Sequence, residues 1–181
     1  MFKFKFFLII LFFIFFFTGR SYALEKYQVL LKNDLLNYVS CYKNQNYICM
    51  SSYILPEVIK NLGGVQNFIK LMETVPDIFR KSGIELLPNL FNTGTPSPII
   101  TDTKNIISII PTTTPVKFNK VDGVIKGFII AVSRNKGRKW FYVEGGNEGE
   151  QYLKNLSREI YELIKFPLKT LNVNNKIIKL Q

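Results

Sequence analysis

No histidine occurs in the 181-residue chain, which removes Ser-His-Asp and Cys-His nucleophilic sites and any His-ligated zinc. What remains is carboxylate and phenol chemistry. Proton abstraction beside a carbonyl needs a carboxylate in an apolar pocket next to a tyrosine hydroxyl. Asp102, Asp122 and Glu144 supply acids, and Tyr38, Tyr42 and Tyr142 supply hydroxyls. Asp102 and Asp122 stand in turn-like contexts, where an aspartate caps or meets solvent. Cys41 reads as a core or disulfide residue before it reads as a nucleophile. No Gly-rich phosphate loop follows a strand, and the calcium-loop pattern is missing, so the expectation is no catalytic residues, no metal and no cofactor.

The polar feature with the highest local density is Arg134, Lys136, Arg138 and Lys139, four basic residues within six positions at a turn. A solvated turn accounts for them; the sharper reading is a patch for an acidic partner or an anionic surface. For an apolar ligand, the candidate pocket residues are Tyr38, Tyr42, Phe128, Ile130, Trp140 and Tyr142, side chains that serve equally well as core. Cys41 and Cys49 either form a disulfide or are two separately buried thiols. On one continuous helix, residues eight apart lie roughly 12 Å apart, beyond the reach of a bridge. A bond therefore requires a turn, and Lys43-Asn44-Gln45-Asn46 is a suitable polar stretch.

These residues must be positioned by elements of two kinds. Leu24 to Lys43 carries Leu24, Tyr27, Leu31, Leu35, Tyr38 and Tyr42 at steps of three and four, the spacing of an amphipathic helix. Tyr47 to Ile54 precedes Pro56, which suits the first turn of a short helix ended by Gly63-Gly64. Val65 to Lys81 carries Phe68, Met72, Val75 and Phe79 as a second apolar stripe, with Pro76 expected to kink or restart it and Gly83 to cap it. Beyond Gly83, β-branched and aromatic runs alternate with Pro, Gly, Asn and Asp clusters. They predict strands at Ile84 to Phe91, Asn105 to Phe118, Val124 to Ser133 and Lys139 to Val143, with an exposed loop from Asn92 to Thr103. Asp122-Gly123 reads as the tight turn between the second and third strands, and Asn135 to Arg138 as the next, giving an antiparallel meander. Leu153, Leu156, Ile160 and Leu163 mark one closing helix before Pro167, and residues 169–181 form a C-terminal tail. The strand Val124 to Val132 is apolar on both faces, which calls for a second layer: the opposite wall of a curled sheet, or a second subunit.

The expected class is therefore α+β, with N-terminal helices packed on a curved antiparallel sheet. The order of elements, together with Gly137-Arg138-Lys139-Trp140-Phe141-Tyr142-Val143-Glu144-Gly145, resembles the nuclear transport factor 2-like (SnoaL-like) superfamily of exported bacterial type, whose terminal strand follows Gly-x-x-Trp-x-Phe-x-Asp. Tyr142 and Glu144 depart from that pattern conservatively. The resemblance implies a cone-shaped domain, in a superfamily that holds isomerases, dehydratases, secretion-system subunits and inactive binding domains. Ser133 to Trp140 also resembles the Asp-box turn of sialidases, Ser-x-Asp-x-Gly-x-x-Trp, with Asn135 in place of Asp. That box recurs blade after blade in propellers and occurs once here, so it supports a hairpin rather than a glycosidase.

The N-terminus reads as a signal peptide. Lys3 and Lys5 precede an unbroken apolar run from Phe6 to Phe17, 12 residues long, which is too short for the ~20 that a membrane span needs. Ser21-Tyr22-Ala23 matches the signal-peptidase pattern, so cleavage is expected between Ala23 and Leu24, the alternative being an uncleaved anchor. Removing residues 1–23 leaves 158 residues, the size of one domain over 24–168 plus the tail, with 21 Lys and Arg against 13 acids. A basic exported protein is expected to meet anionic envelope components rather than nucleic acid. The resulting expectation is a periplasmic or secreted non-catalytic domain that binds an apolar small ligand or a protein partner, with homodimerisation through the sheet face. The alternatives are a ketosteroid-isomerase-like isomerase or hydratase and a structural subunit of an envelope or secretion assembly.

Overall fold

The computed structural model describes residues 25–180; the signal-peptide reading falls on residues 1–23, outside them. Among the described residues no helix is long and apolar enough to cross a membrane. The chain is α+β, with helices first and then a large, open antiparallel sheet. A first helix, α1, spans residues 25–43. It is followed by α2 (Tyr47–Ser51), α3 (Pro56–Asn61) and α4 (Val65–Lys81). The strands are β1 (Ile84–Leu86), β2 (Asn92–Thr93), β3 (Ile100–Thr101), β4 (Ile106–Phe118), β5 (Val121–Ser133) and β6 (Phe141–Glu144). Then come α5 (Asn147–Leu156) and α6 (Arg158–Leu163), and a final hairpin of β7 (Thr170–Val173) and β8 (Lys176–Lys179).

The long hairpin of β4 and β5 is the spine of the sheet, paired from Ile106↔Ser133 to Phe118↔Val121. Its turn is Asn119-Lys120, both with positive φ (48° and 71°), as a two-residue loop matching strand twist requires, and asparagine tolerates that conformation better than most residues. The turn expected at Asp122-Gly123 is therefore displaced, and both residues lie within β5. Gly123 serves a different purpose: a Cβ there would stand 2.6 Å from a Val173 methyl carbon of β7, so the absence of a side chain lets the neighbouring strand approach.

Three short strands line the outer edge of β4 in turn: β1, β2 and β3. The expected strand from Ile84 to Phe91 stops at Leu86 because Pro88 has no N–H to donate, and residues 88–90 form a 3-10 turn instead. The loop expected over Asn92 to Thr103 is partly bound to the sheet. Besides β2 and β3, Ser97 Oγ accepts from the Ile109 N–H at 3.0 Å, and Ser108 Oγ donates to the Ser97 carbonyl at 2.9 Å.

The other edge of β5 is shared, β6 pairing with its second half and β7 with its first. Residues 169–180 are thus not a loose tail, since β7 pairs from Gly123↔Val173 to Lys126↔Thr170 and carries β8 on its far side. The two faces of β5 separate by parity, as strand geometry demands. Ile129 and Ala131 join Leu31, Leu35, Tyr38 and Phe68 of the N-terminal helices in one core. Phe128, Ile130 and Val132 join Leu55, Leu153 and Ile160 in another. The second face is therefore covered by α5 and α6 rather than by a curled sheet wall.

The expected single closing helix is broken at Ser157, which has extended backbone and whose Oγ accepts the Ile160 N–H as the cap of α6. The break leaves Leu163 exposed while Leu153 and Ile160 stay buried. Pro76, expected to interrupt α4, lies inside a continuous 17-residue helix. The apolar stripe is anchored on both sides of the proline, Met72 against the larger core and Phe79 against a cluster of Ile84, Val116, Ile125 and Leu171.

Candidate functional site: a basic groove beside a buried aromatic core

The six candidate pocket residues are divided between two cores. Tyr38, Tyr42, Trp140 and Tyr142 belong to the core on the N-terminal helix side, whereas Phe128 and Ile130 lie in the core beneath α5 and α6. Trp140, Tyr142 and Ile130 are fully buried. Tyr38 and Tyr142 rings lie 4.6 Å apart between centroids, and Tyr53 sits 6.3 Å from each. Desolvation raises the phenols of Tyr38 and Tyr142 far above the ordinary tyrosine range, so neither ionises in solution. Burial, reinforced by Glu144 and Tyr47, pushes the half-buried Tyr42 phenol up to about 12.

The expected carboxylates have other work. The exposed Glu144 pairs with Lys169, and Asp122 is exposed opposite Lys117. Asp102 forms a tight polar turn, its Oδ1 accepting from the N–H groups of Lys104 at 2.7 Å and Asn105 at 2.6 Å, and its Oδ2 from Asn105 Nδ2 at 3.0 Å. Partial burial opposes ionisation, but these donors outweigh it and hold Asp102 at about 2, below the ordinary 3.8. A depressed carboxyl stabilises the fold fully above pH 3.8 and loses that contribution as pH falls toward 2. Acid titration of the melting temperature should therefore show a drop between these values, and Asp102→Ala should flatten that limb; an unchanged limb would assign the drop to other groups.

The carboxylate that sequence reasoning missed is Asp34. From α1 its Oδ2 accepts the Trp140 N–H at 2.8 Å, tying the first helix to the entry of β6. Its place between Leu31 and Leu35 on the helix gave it the look of a surface residue at the margin of the apolar stripe.

The basic turn is rigidly built. Ser133 Oγ donates to Asn135 Oδ1 at 3.0 Å and accepts the Gly137 N–H at 3.0 Å, and Asn135 Oδ1 also accepts the Lys139 N–H at 2.9 Å. Lys136 and Gly137 both have positive φ (58° and 74°), and a Cβ on Gly137 would lie 2.6 Å from the Tyr27 ring of α1. The four cations diverge in role. Arg134 pairs with Glu57 and donates to the Tyr152 hydroxyl at 2.7 Å; the hydrogen bond from Arg134 is the main cause that lowers the Glu57 carboxyl. Lys139 stands 3.7 Å over the Tyr53 ring, a cation–π contact. Lys136 and Arg138 are exposed and, among the described residues, make no ion pair.

Between this turn, the Asp102 loop and the end of α5 runs an open groove of about 750 Å³, bordered by Tyr27, Asp102, Lys104, Arg134, Lys136 and Asn155. Lys104 and Lys136 thus stand there with Arg134, whose charge is paired with Glu57, and with the ionised Asp102. Among the described residues no cluster of three or more His, Cys, Asp or Glu is placed to hold a metal. No protein-family model, curated protein or solved structure matches the chain.

Proposed function

We propose that the protein is an exported, non-catalytic domain that binds an anionic partner in the cell envelope through the groove beside Lys104, Arg134 and Lys136. The observation carrying this reading is the charge of that groove. Among the described residues Asp102 is its one bordering acid and Arg134 is balanced by Glu57, so Lys104 and Lys136 outweigh the acid and an incoming carboxylate or phosphate meets net positive potential. The filled aromatic core supports a partner at the surface over an apolar small ligand inside. The occupied or exposed states of Asp102, Asp122 and Glu144 weigh against the isomerase alternative. The order of helices followed by sheet supports the nuclear transport factor 2-like resemblance, while the cover of α5 and α6 over the second face departs from a cone. For assembly or homodimerisation through the sheet, the supporting feature is exposed Ile177 and Ile178 on β8, at 71% and 43%.

The groove is tested with poly-glutamate as the probe. Binding should weaken as salt rises, since surface charge is screened over about 10 Å at 0.1 M, and the double variant Lys104→Ser, Lys136→Ser should lose most of it while melting normally. Equal binding by this double variant removes the proposal. Export is tested separately by N-terminal sequencing of the protein recovered outside the cytoplasm. It should begin at Leu24, and a full-length membrane-embedded product refutes cleavage. The Cys41–Cys49 bridge supports an oxidising compartment.

A further inference from the structure

The sheet ends at an open edge. β7 pairs with β5 on one side and with β8 on the other, and among the described residues nothing pairs with the outer side of β8. The turn joining β7 to β8 is Asn174-Asn175, both with positive φ (48° and 61°). Val173 and Lys176, the first pair beyond this two-residue loop, therefore exchange both main-chain hydrogen bonds. Alternation then turns the N–H and C=O groups of Lys176 and Ile178 toward β7 and those of Ile177 and Lys179 outward. Such outward groups are a template for one more strand.

The side chains define what that strand would carry. All four residues of β8 are exposed, and Ile177 is more exposed than any other large apolar side chain among the described residues. Ile178 stands opposite Leu171, which is buried with Ile84, Val116 and Ile125, and Leu180 packs against the same cluster. The apolar layer thus runs out to the sheet edge at Ile178. Lys176 and Lys179 bracket the two isoleucines, and neither makes an ion pair among the described residues. A second copy is the weaker occupant. Antiparallel pairing of two β8 strands over all four residues sets Lys176 opposite Lys179 twice, and like charges directly opposite destabilise a sheet. A shift that parts the lysines leaves at most three residue pairs.

We propose that β8 takes up an extended segment of another protein as an added strand, one with two apolar residues flanked by carboxylates. Opposite Ile177 and Ile178 the apolar pair extends the sheet's two faces, and opposite Lys176 and Lys179 the carboxylates make cross-strand charge pairs. The main-chain groups of Ile177 and Lys179 supply attachment, and the lysines select the partner. No residue of this edge borders the basic groove, so the two sites succeed or fail independently.

The test is an NMR titration of the full-length protein, expressed with export, using a blocked hexapeptide Thr-Glu-Val-Val-Glu-Thr and, as control, Thr-Lys-Val-Val-Lys-Thr. The acidic peptide should shift the amides of residues 176–179 saturably and slow hydrogen exchange at the Ile177 and Lys179 N–H groups. The lysine peptide should bind at least about tenfold more weakly, since it sets like charges together. Lys176→Glu with Lys179→Glu should reverse that preference. Ile177→Pro removes an outward N–H at an edge position where proline is tolerated, so it should melt like the parent and lose the peptide. Lys104→Ser with Lys136→Ser should bind the acidic peptide unchanged; loss of binding there would place the peptide in the groove and overturn the proposal. It is equally overturned by the absence of a saturable shift at residues 176–179, by an unreversed preference in the double glutamate variant, or by an Ile177→Pro protein that binds as before. Shifts there that follow protein concentration without peptide would mark pairing of two copies instead.

Discussion

Trp140→Ala should largely unfold the protein, with a loss of about 3–5 kcal/mol, the usual cost of emptying a large buried aromatic site. Trp140 is fully buried in the core of the N-terminal helices, and its backbone N–H is the donor that binds Asp34 of α1. Its side chain therefore fills the space under the helix that its main chain anchors. Small domains have only about 5–15 kcal/mol in total, so little would remain. Chemical denaturation monitored by far-UV circular dichroism gives the comparison. The double variant Lys136→Ser, Arg138→Ser provides the contrast, because exposed charges shift stability by less than about 0.5 kcal/mol. Arg134 does not belong with them: its removal strands the half-buried Glu57. A Trp140→Ala protein that melts like the parent would mean that the indole is not what holds α1 against the sheet.

The second large effect is expected from the disulfide. Cys41 lies at the end of α1 and Cys49 within α2, with Cα atoms 5.7 Å apart, and the polar stretch between them makes the reversal through Gln45. Closing a loop of about nine residues stabilises by roughly 2–3 kcal/mol in the chain-entropy model. Cys41→Ser with Cys49→Ser should accordingly lower the denaturation free energy by that amount. Mass spectrometry of alkylated, unreduced protein should find no free thiol, whereas two labelled cysteines in the native protein would contradict the bridge.

How much of this was legible in the sequence depends on whether a signal was local. The alternation of Phe128, Ile130 and Val132 with Ile129 and Ala131 announced a strand between two apolar layers, and the sheet separates them in that way. Trp140 and Tyr142 fall in one core and Phe141 and Val143 against the other by the same parity. The hairpin turn was misplaced because Asp-Gly is the stronger local signal, while Gly123 answers to β7, some fifty residues away. Nothing in Thr170 to Val173 says which edge it will join, so residues 169–181 read as a tail. The division of the candidate pocket residues was hidden for a related reason: Tyr38 and Phe128 are equally aromatic, and only the sheet between them separates them into two cores. The basic turn was readable as a cluster, but its division into the engaged Arg134 and Lys139 and the open Lys136 and Arg138 depends on Glu57, Tyr152 and Tyr53, which lie far away in sequence.

The pairing of one strand with two successive neighbours along the same edge also sets an order of assembly in time. The β4–β5 hairpin closes through two residues, and β6 reaches it from a short distance. The partner of Gly123, however, is Val173, so half of one edge of β5 stays open until a segment fifty positions downstream has arrived. Long-range closures of this kind are slow, and an unpaired edge is the surface through which chains join one another. In the folded chain β7, with β8 beyond it, covers that half of the central strand's edge.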